Sequence, residues 1–337
     1  MSGGDASEVR ALRDAVARAV AARPDPGSLW SVLCDQIGVA ALAVPQERGG
    51  AGGGLPELAA VGYELGAALA GGRFLGTVLS AQTLCALGDG TLLPGVSQGR
   101  ALAALCWAGE DGGWDPERAA VTATGGRLTG GTHHVLDGVG ADVLLVVAED
   151  AGGTAVFAVD PADAVCEVTP SMDESRSLAR VRFHGAPGRR LPGPAAPALR
   201  QALDAALVVQ AAENAGAARH CLDTTVAYSR QRVQFGRPIG GFQALKHRMA
   251  DMYVRVEAAE SAAFAAAAAA DIAPGVAAAY CAEALFAVAA ETVQLHGGIA
   301  ITWEHEAHRY LKRAHAGLHL LGTPAGHRAR LGTAVGR

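Results

Sequence analysis

The feature that most narrows the fold is the order of hydrophobic periodicities along the chain: helical, then strand-like, then helical again. Residues 199–231, 243–271 and 276–295 are three long alanine-rich stretches at helical spacing, and 306–320 forms a fourth. The first hundred residues also read as helical. Apolar residues recur from 9 to 20 and stop before Pro24-Asp25-Pro26, while 29–37 is a second short helix with Gly38 at its C-terminal side. The glycine-rich stretch 49–54 leads to Pro56, which opens a helix to about residue 70, and 77–87 is a further helix. Between these blocks, 101–107, 119–124, 127–129, 134–137, 143–148, 154–159 and 178–183 are short apolar or alternating runs. Gly-Gly and Asp-Gly turns separate several of them, which predicts a small antiparallel β domain. Residues 187–197 hold four prolines and two glycines and read as a linker.

Helices, strands, then helices exclude a doubly wound α/β fold, in which the two alternate. The expectation is an α+β chain with an N-terminal helical domain over 1–100, a β domain over 101–190 and a C-terminal helical bundle over 191–337. Half of the residues are hydrophobic and only 5% are aromatic, so helices must pack closely through small side chains. With 28 basic against 33 acidic residues, the net charge of −5 offers no field for nucleic acid. The apolar run 262–270 stops at Asp271, short of the ~20 residues of a membrane span, and Asp5 and Glu8 interrupt any secretory leader. Six scattered cysteines, with no CxxC pair, are expected as reduced thiols of a cytoplasmic protein.

No GxGxxG is present, and residues 49–54 are not followed by the Lys-Ser or Lys-Thr pair of a phosphate loop. His315 with His319, and His305 with His308, have the spacing of metal ligands on one helical face. Without HExxH or a nearby cysteine, they read as solvated or interface histidines, and no metal site is expected. Two corners stand out. Tyr228 to Ile239 joins two long helices through a turn with Gly236 and Pro238, flanked by Arg230, Arg232 and Arg237. Arginines there could fork onto phosphate oxygens, or simply cap helices. Gln294-Leu295-His296-Gly297-Gly298 ends a helix with two glycines, either as a C-cap or to let a ligand approach the backbone.

Together these corners resemble the acyl-CoA dehydrogenase family, over the whole chain. The N-terminal part carries Leu29-Trp30, Ile37-Gly38-Val39, Val44-Pro45-Gln46-Glu47 before Gly49-Gly50-Ala51-Gly52, and Glu64-Leu65-Gly66 in the family's order. The C-terminal part carries Arg232-Val233-Gln234-Phe235-Gly236-Arg237-Pro238-Ile239, Phe242-Gln243, Ala250-Asp251-Met252 and Gln294-Leu295-His296-Gly297-Gly298. The resemblance implies an N-terminal helical domain, a middle β domain and a four-helix bundle, assembled as a tetramer around FAD. It implies that Arg232, Gln234, Phe235, Ile239 and Gln243 meet the pyrophosphate and adenosine of a neighbour's FAD. Gln294, Leu295 and Gly298 would complete that cradle, and Thr323 is the remaining implied cofactor contact. The implied reaction is α,β-desaturation of an acyl-CoA thioester, with a glutamate as base.

The chain departs from the family at the reacting centre. Leu320-Leu321-Gly322-Thr323 stands for the family's Tyr-Glu-Gly-Thr, so Leu321 occupies the usual base position. The alternative base position, on the first bundle helix, reads Ala206-Leu207 and lacks both the glutamate and its arginine. Ala108-Gly109-Glu110 replaces the family's Thr-Glu-Pro, and His134-Val135-Leu136 its Trp-x-Thr, on the flavin ring side. The nearest carboxylates on the bundle helix are Asp204 and Glu213, the latter ~10.5 Å along the axis from Ala206. Retained ADP-side residues and lost ring-side residues are what a subunit would show if a homologous partner supplied the glutamate and ring pocket. The other readings are a stand-alone homotetramer using Asp204 or Glu213, and a non-catalytic acyl-thioester-binding protein.

Overall fold

The computed structural model describes residues 6–22, 25–109, 113–114, 118–269 and 272–334. Five helices come first: α1 (Ala6–Ala22), α2 (Pro26–Val32), α3 (Leu55–Ala67), α4 (Phe74–Leu87) and α5 (Leu93–Ser97). Their ends follow local chemistry. Asp25 accepts from the Ser28 N–H at 2.8 Å to start α2, and Glu57 accepts from the Gly54 N–H at 2.7 Å beside Pro56 to start α3. After α2 the chain widens into a π-helical turn, Leu33–Ile37, which Gly38 ends at φ +77°.

The strands are β1 (Ala103–Cys106), β2 (Val121–Thr124), β3 (Arg127–Leu136), β4 (Val143–Asp150), β5 (Gly153–Val159), β6 (Val165–Val168), β7 (Leu178–Pro187) and β8 (Arg189–Arg190). They lie in the order β6-β7-β3-β2-β4-β5-β8, with β1 also on β4. The expected antiparallel arrangement holds except at β4, which pairs parallel with β1 and, at Val121 and Thr122, with β2. Neither of these pairs is joined by a hairpin, so nothing forces their directions to oppose. Where the sequence reading separates 127–129 from 134–137, the chain runs as one strand, with irregularities at Leu128/Thr129 and Thr132/Val135. Those irregularities interrupt the alternation that would reveal a single strand. β6, β8 and α5 are too short or too polar to be read from periodicity.

β4 reads as a continuous apolar run because both of its faces are covered. Leu144 and Val146 point into a core made only of strand residues, including Leu128, Phe157, Val181 and Phe183. Leu145 and Val147 point the other way, into a core shared with Phe74, Leu105, Trp107, Leu199 and Ala206. That second core runs across the expected boundaries near residues 100 and 190, tying helices and sheet together.

The C-terminal helices are α6 (Ala195–Gln231), α7 (Gln243–Ala267), α8 (Pro274–His296), α9 (Ala307–Gly317) and α10 (Pro324–Ala334). Between α6 and α7 lies a two-strand hairpin, β9 (Val233–Gln234) and β10 (Arg237–Pro238). α6 begins inside the stretch read as a linker. Pro197 falls in its first turn, where a missing N–H breaks no hydrogen bond. α7 ends at Ala267, and the expected end at Asp271 lies outside the described residues. Among the described residues, α8 with the turn after it is the one helical stretch long and apolar enough to cross a membrane. Its Ala277, Cys281, Leu285, Val288 and Ala289 are buried in the bundle. All six cysteines are free.

α6 is the axis of the molecule, and it meets α3 at backbone distance. A Cβ on Gly66 would lie 2.1 Å from the Glu213 carbonyl oxygen, and one on Gly216 would lie 2.0 Å from that of Tyr63. The alanine-rich composition has its physical meaning in such crossings. Gly216→Ala is therefore expected to destabilise the fold by about 1–3 kcal/mol, although alanine is the better helix former. Urea denaturation of wild type and variant measures this, and a stabilised variant would contradict the close crossing.

Candidate functional site

The first corner is built by the end of α6. After Gln231 the chain turns back through Phe235-Gly236, at φ +52° and +76°, the two left-handed positions that a tight two-residue hairpin demands. Gly236 adopts this freely, but Phe235 is strained there, and its ring is 91% exposed. A large aromatic side chain held in water on a strained backbone is placed for contact with another molecule. Phe242 stands edge-on to it at 6.0 Å, and the Arg237 guanidinium lies over the Phe242 ring at 4.1 Å. Arg232, Gln234 and Gln243 are exposed and Ile239 is half-buried.

The second corner is the end of α8. Gln294, Gly297 and Gly298 are exposed, Leu295 is half-buried, and a Cβ on either glycine would meet open space. The two corners are joined by stacking of Tyr228 on His296, with ring centroids 4.4 Å apart. His296 is buried, and burial holds it below the usual histidine range, so its ring is neutral. Its Nδ1 donates to the Thr292 carbonyl at 2.7 Å, leaving Nε2 as an acceptor with no partner among the described residues. The structure thus brings Arg232, Gln234, Phe235, Ile239, Gln243, Gln294, Leu295 and Gly298 to one end of the bundle. It does not bring Thr323 there. Thr323 caps α10, accepting from the Gly326 N–H at 3.1 Å, and α10 lies against Gly275 at the start of α8. The 23 residues of α8, about 34 Å, separate the two ends.

The expected base positions form a different kind of place. Leu321 and Ala206 are both fully buried in one apolar core, together with Leu136, Leu207 and Leu320. Gln210, one turn beyond Ala206, donates to the Leu320 carbonyl at 3.0 Å and anchors the Leu320-Leu321 turn on α6. On the sheet side, Ala108 and Leu136 are buried, and His134 sits at φ +53°. Burial, with His133 and His319 nearby, holds His134 below the usual histidine range. Glu110 lies outside the described residues.

The two fallback carboxylates have different fates. Glu213 is enclosed: Arg176 and Arg313 both donate to its Oε2, the latter at 3.3 Å, and all three side chains are at most 3% exposed. Pinned by two guanidiniums, Glu213 is not available as a base. Asp204 lines a cleft of about 310 Å³ with Arg200, Leu207, His327 and Arg330. Burial raises its pKa, against the pull of Arg330. Arg176, Arg313 and Asp173 carry no local sequence signal, because they come from distant segments and meet only in the fold. Among the described residues, no three His, Cys, Asp or Glu side chains are placed to share a metal ion. His315 and His319 stand 5.9 Å apart, and His305 lies against His296 instead of His308.

Residues 197–336 match the family model described as acyl-CoA dehydrogenase, C-terminal domain. Acyl-CoA dehydrogenase IpdE2 of Mycobacterium tuberculosis is 41% identical over 336 residues, covering 94% of each chain. This chain belongs to the acyl-CoA dehydrogenase family. Among solved structures, the ChsE4-ChsE5 complex of M. tuberculosis matches with a TM-score of 0.87 and 30% identity over 99% of both chains. A structure described as the Tcur3481-Tcur3483 steroid ACAD, a G363A variant, matches with a TM-score of 0.86 and 28% identity over 98% of both chains.

FAD is the cofactor of this family. The residues of this corner have the chemistry its ADP half needs: exposed arginines suit a pyrophosphate, Phe235 offers a stacking face, the glycines leave room, and the His296 Nε2 lacks a donor among the described residues. Ala108 and Leu136, expected on the flavin-ring side, carry no hydroxyl.

Two outcomes follow. Glu213→Gln is expected to cost about 3–5 kcal/mol, because it removes the carboxylate that pairs the buried Arg176 and leaves Arg313 only Asp173, whereas Asp204→Asn costs less than about 1 kcal/mol. Chemical denaturation distinguishes them. Phe235→Gly is expected to raise stability by about 1 kcal/mol through release of left-handed strain, measured in the same way.

Proposed function

We propose that this chain is the glutamate-lacking subunit of a heteromeric FAD-dependent acyl-CoA dehydrogenase, contributing the ADP-side cradle to a site completed by a homologous partner. The observation that carries this reading is the contrast between the two places. The corner of Arg232, Phe235 and Gly298 is open, polar and strained toward solvent. Leu321 and Ala206 are closed into an apolar core, and neither side chain can accept a proton. A site that kept its cofactor handle but lost its base needs the base from elsewhere.

In this reading the partner's glutamate would remove the α-proton of the thioester, and the chemistry supplied by bound FAD would be hydride acceptance from the β-carbon. Arg232 would hold the pyrophosphate by charge-assisted hydrogen bonds, Phe235 would offer its ring to the adenosine, and Gln234, Ile239 and Gln243 would complete that side. Gln294, Leu295 and Gly298 would supply the rest of the cradle. The similarity to a complex of two named chains and to a steroid ACAD supports both a partner subunit and a steroid-type acyl group. A second reading, a stand-alone dehydrogenase, draws on Asp204 and its cleft.

Flavin content and mass decide between the two. The chain alone is expected to retain little FAD, and co-expression with a glutamate-bearing homologue is expected to give a yellow tetramer. Stoichiometric FAD with desaturase turnover in a homo-oligomer would sink the first reading and send the search to Asp204. In the complex, Arg232→Ala is expected to weaken FAD binding about 10- to 100-fold, because a charged contact of about 1.5–3 kcal/mol is lost. Unchanged flavin retention would refute that assignment. Leu321→Glu in the isolated chain is expected to show no turnover, because the ring-side hydroxyls are also absent.

A further inference from the structure

Six buried side-chain polar atoms lack a partner among the described residues, and three of them meet at one junction: Asp137 Oδ2, Arg176 Nη1 and Glu213 Oε1. The junction joins the end of β3, the start of α4, the loop before β7, α6 and α9. Arg176 occupies its middle. One edge of its guanidinium holds Glu213, the free edge carries the unpartnered Nη1, and its charge reaches Asp137. Arg313 continues the network to Glu213, to Ser175 and, at 3.7 Å, to Asp173. The fully buried members are three carboxylates, Asp137, Asp173 and Glu213, against two guanidiniums, Arg176 and Arg313. Asp173 and Glu213 satisfy the two arginines, so Asp137 is the acid in excess.

Asp137 has little room to turn elsewhere. A Cβ on Gly76 would lie 2.7 Å from its Oδ2, so the α4 backbone closes that side. Its own backbone is left-handed at φ +56°, and its N–H donates to the Ser177 carbonyl at 3.0 Å. The charged groups that face it are Arg73 at the exposed N-terminus of α4 and Arg176 from the loop before β7. Behind Arg176 stand Glu213 on α6, Arg313 on α9 and Asp173.

We propose that Asp137 is a proton-operated latch at this junction, neutral against α4 when protonated and drawing the free edge of Arg176, and Arg73, toward it when ionised. The proton balances the buried set at two charges of each sign, and its loss leaves one uncompensated negative charge inside. The Asp137 carboxyl is pushed up to about 7 by burial, against the pull of Arg73 and Arg176, so the latch operates near neutral pH. Its movement is felt at once by Leu136 and His134, which precede it on β3.

The sign of the effect follows from linkage. The folded-state value lies above the ordinary 3.8, so the folded chain holds a proton that the unfolded chain has released. Stability is full below the unfolded value and falls as pH rises toward the folded one. Asp137→Asn keeps the shape and removes the titration. Between pH 5 and pH 8 the folding constant of wild type is expected to fall relative to Asp137→Asn by about 100-fold, most of it below pH 7. Hydrogen exchange at residues 72–77 and 134–139, corrected for intrinsic rates, is expected to quicken across the same window in wild type only. Asp137→Ser, small enough for the space beside Gly76, serves as the second variant if the first fails to fold. A gap between wild type and variant that is constant from pH 5 to pH 8, or an exchange profile that does not change in wild type, would overturn the proposal.

Discussion

The close crossing of α3 and α6 is the constraint on which the rest depends. Only glycine at 66 and 216 lets the two backbones touch, and that contact brings the central helix into the middle of the molecule. Once there, α6 meets α4, α7 and α8 as well, and successive turns of one helix present Ala206, Gln210, Glu213 and Asn214 to buried surroundings. The same helix then runs out to the surface and delivers the Arg232 hairpin. A single rigid element thus sets both the closed interior and the exposed corner.

The two ends differ because they solve different physical problems. Inside, buried charges persist only when they offset one another, and the Glu213–Arg313–Arg176 network does this at a high desolvation cost that mutual pairing offsets, with Arg176 Nη1 and Glu213 Oε1 left over among the described residues. Apolar residues at 206 and 321 avoid that cost altogether. Outside, Phe235 keeps a strained backbone and an exposed ring, which carry no benefit to the isolated chain. Strain of that kind persists where a ligand or partner completes the contact. The contrast is between an exposed, strained corner and a closed, paired interior.

Much of the architecture was legible in the chain. Alanine-rich helical spacing announced α6, α7 and α8, and Gly125-Gly126 announced the β2–β3 hairpin, since two left-handed residues fit few other places. The bulged β3 was read as two strands because its irregularities break the alternation. The parallel contacts of β4 were missed because pairing direction depends on chain reversal far from either strand. Glu213 was legible only as a carboxylate on the right helix, and its capture by Arg176 and Arg313 required segments 37 and 100 residues away. Spacing already made Glu213 a poor substitute base and favoured a hydrogen-bonded carboxylate, while the cleft at Asp204 had no signal in the sequence.

The sequence by itself determined the order of helices and strands, the family resemblance, and the absence of a carboxylate at positions 206 and 321. Those properties are local: they depend on residue type and spacing, which the chain carries whether folded or not. Only the tertiary structure decided that Thr323 stands a helix-length from the other cofactor candidates, that Glu213 is spent in a salt bridge, and that Asp137 lacks a counter-ion of its own. Burial, pairing and distance are properties of neighbours in space, and distant segments become neighbours only when the chain has folded.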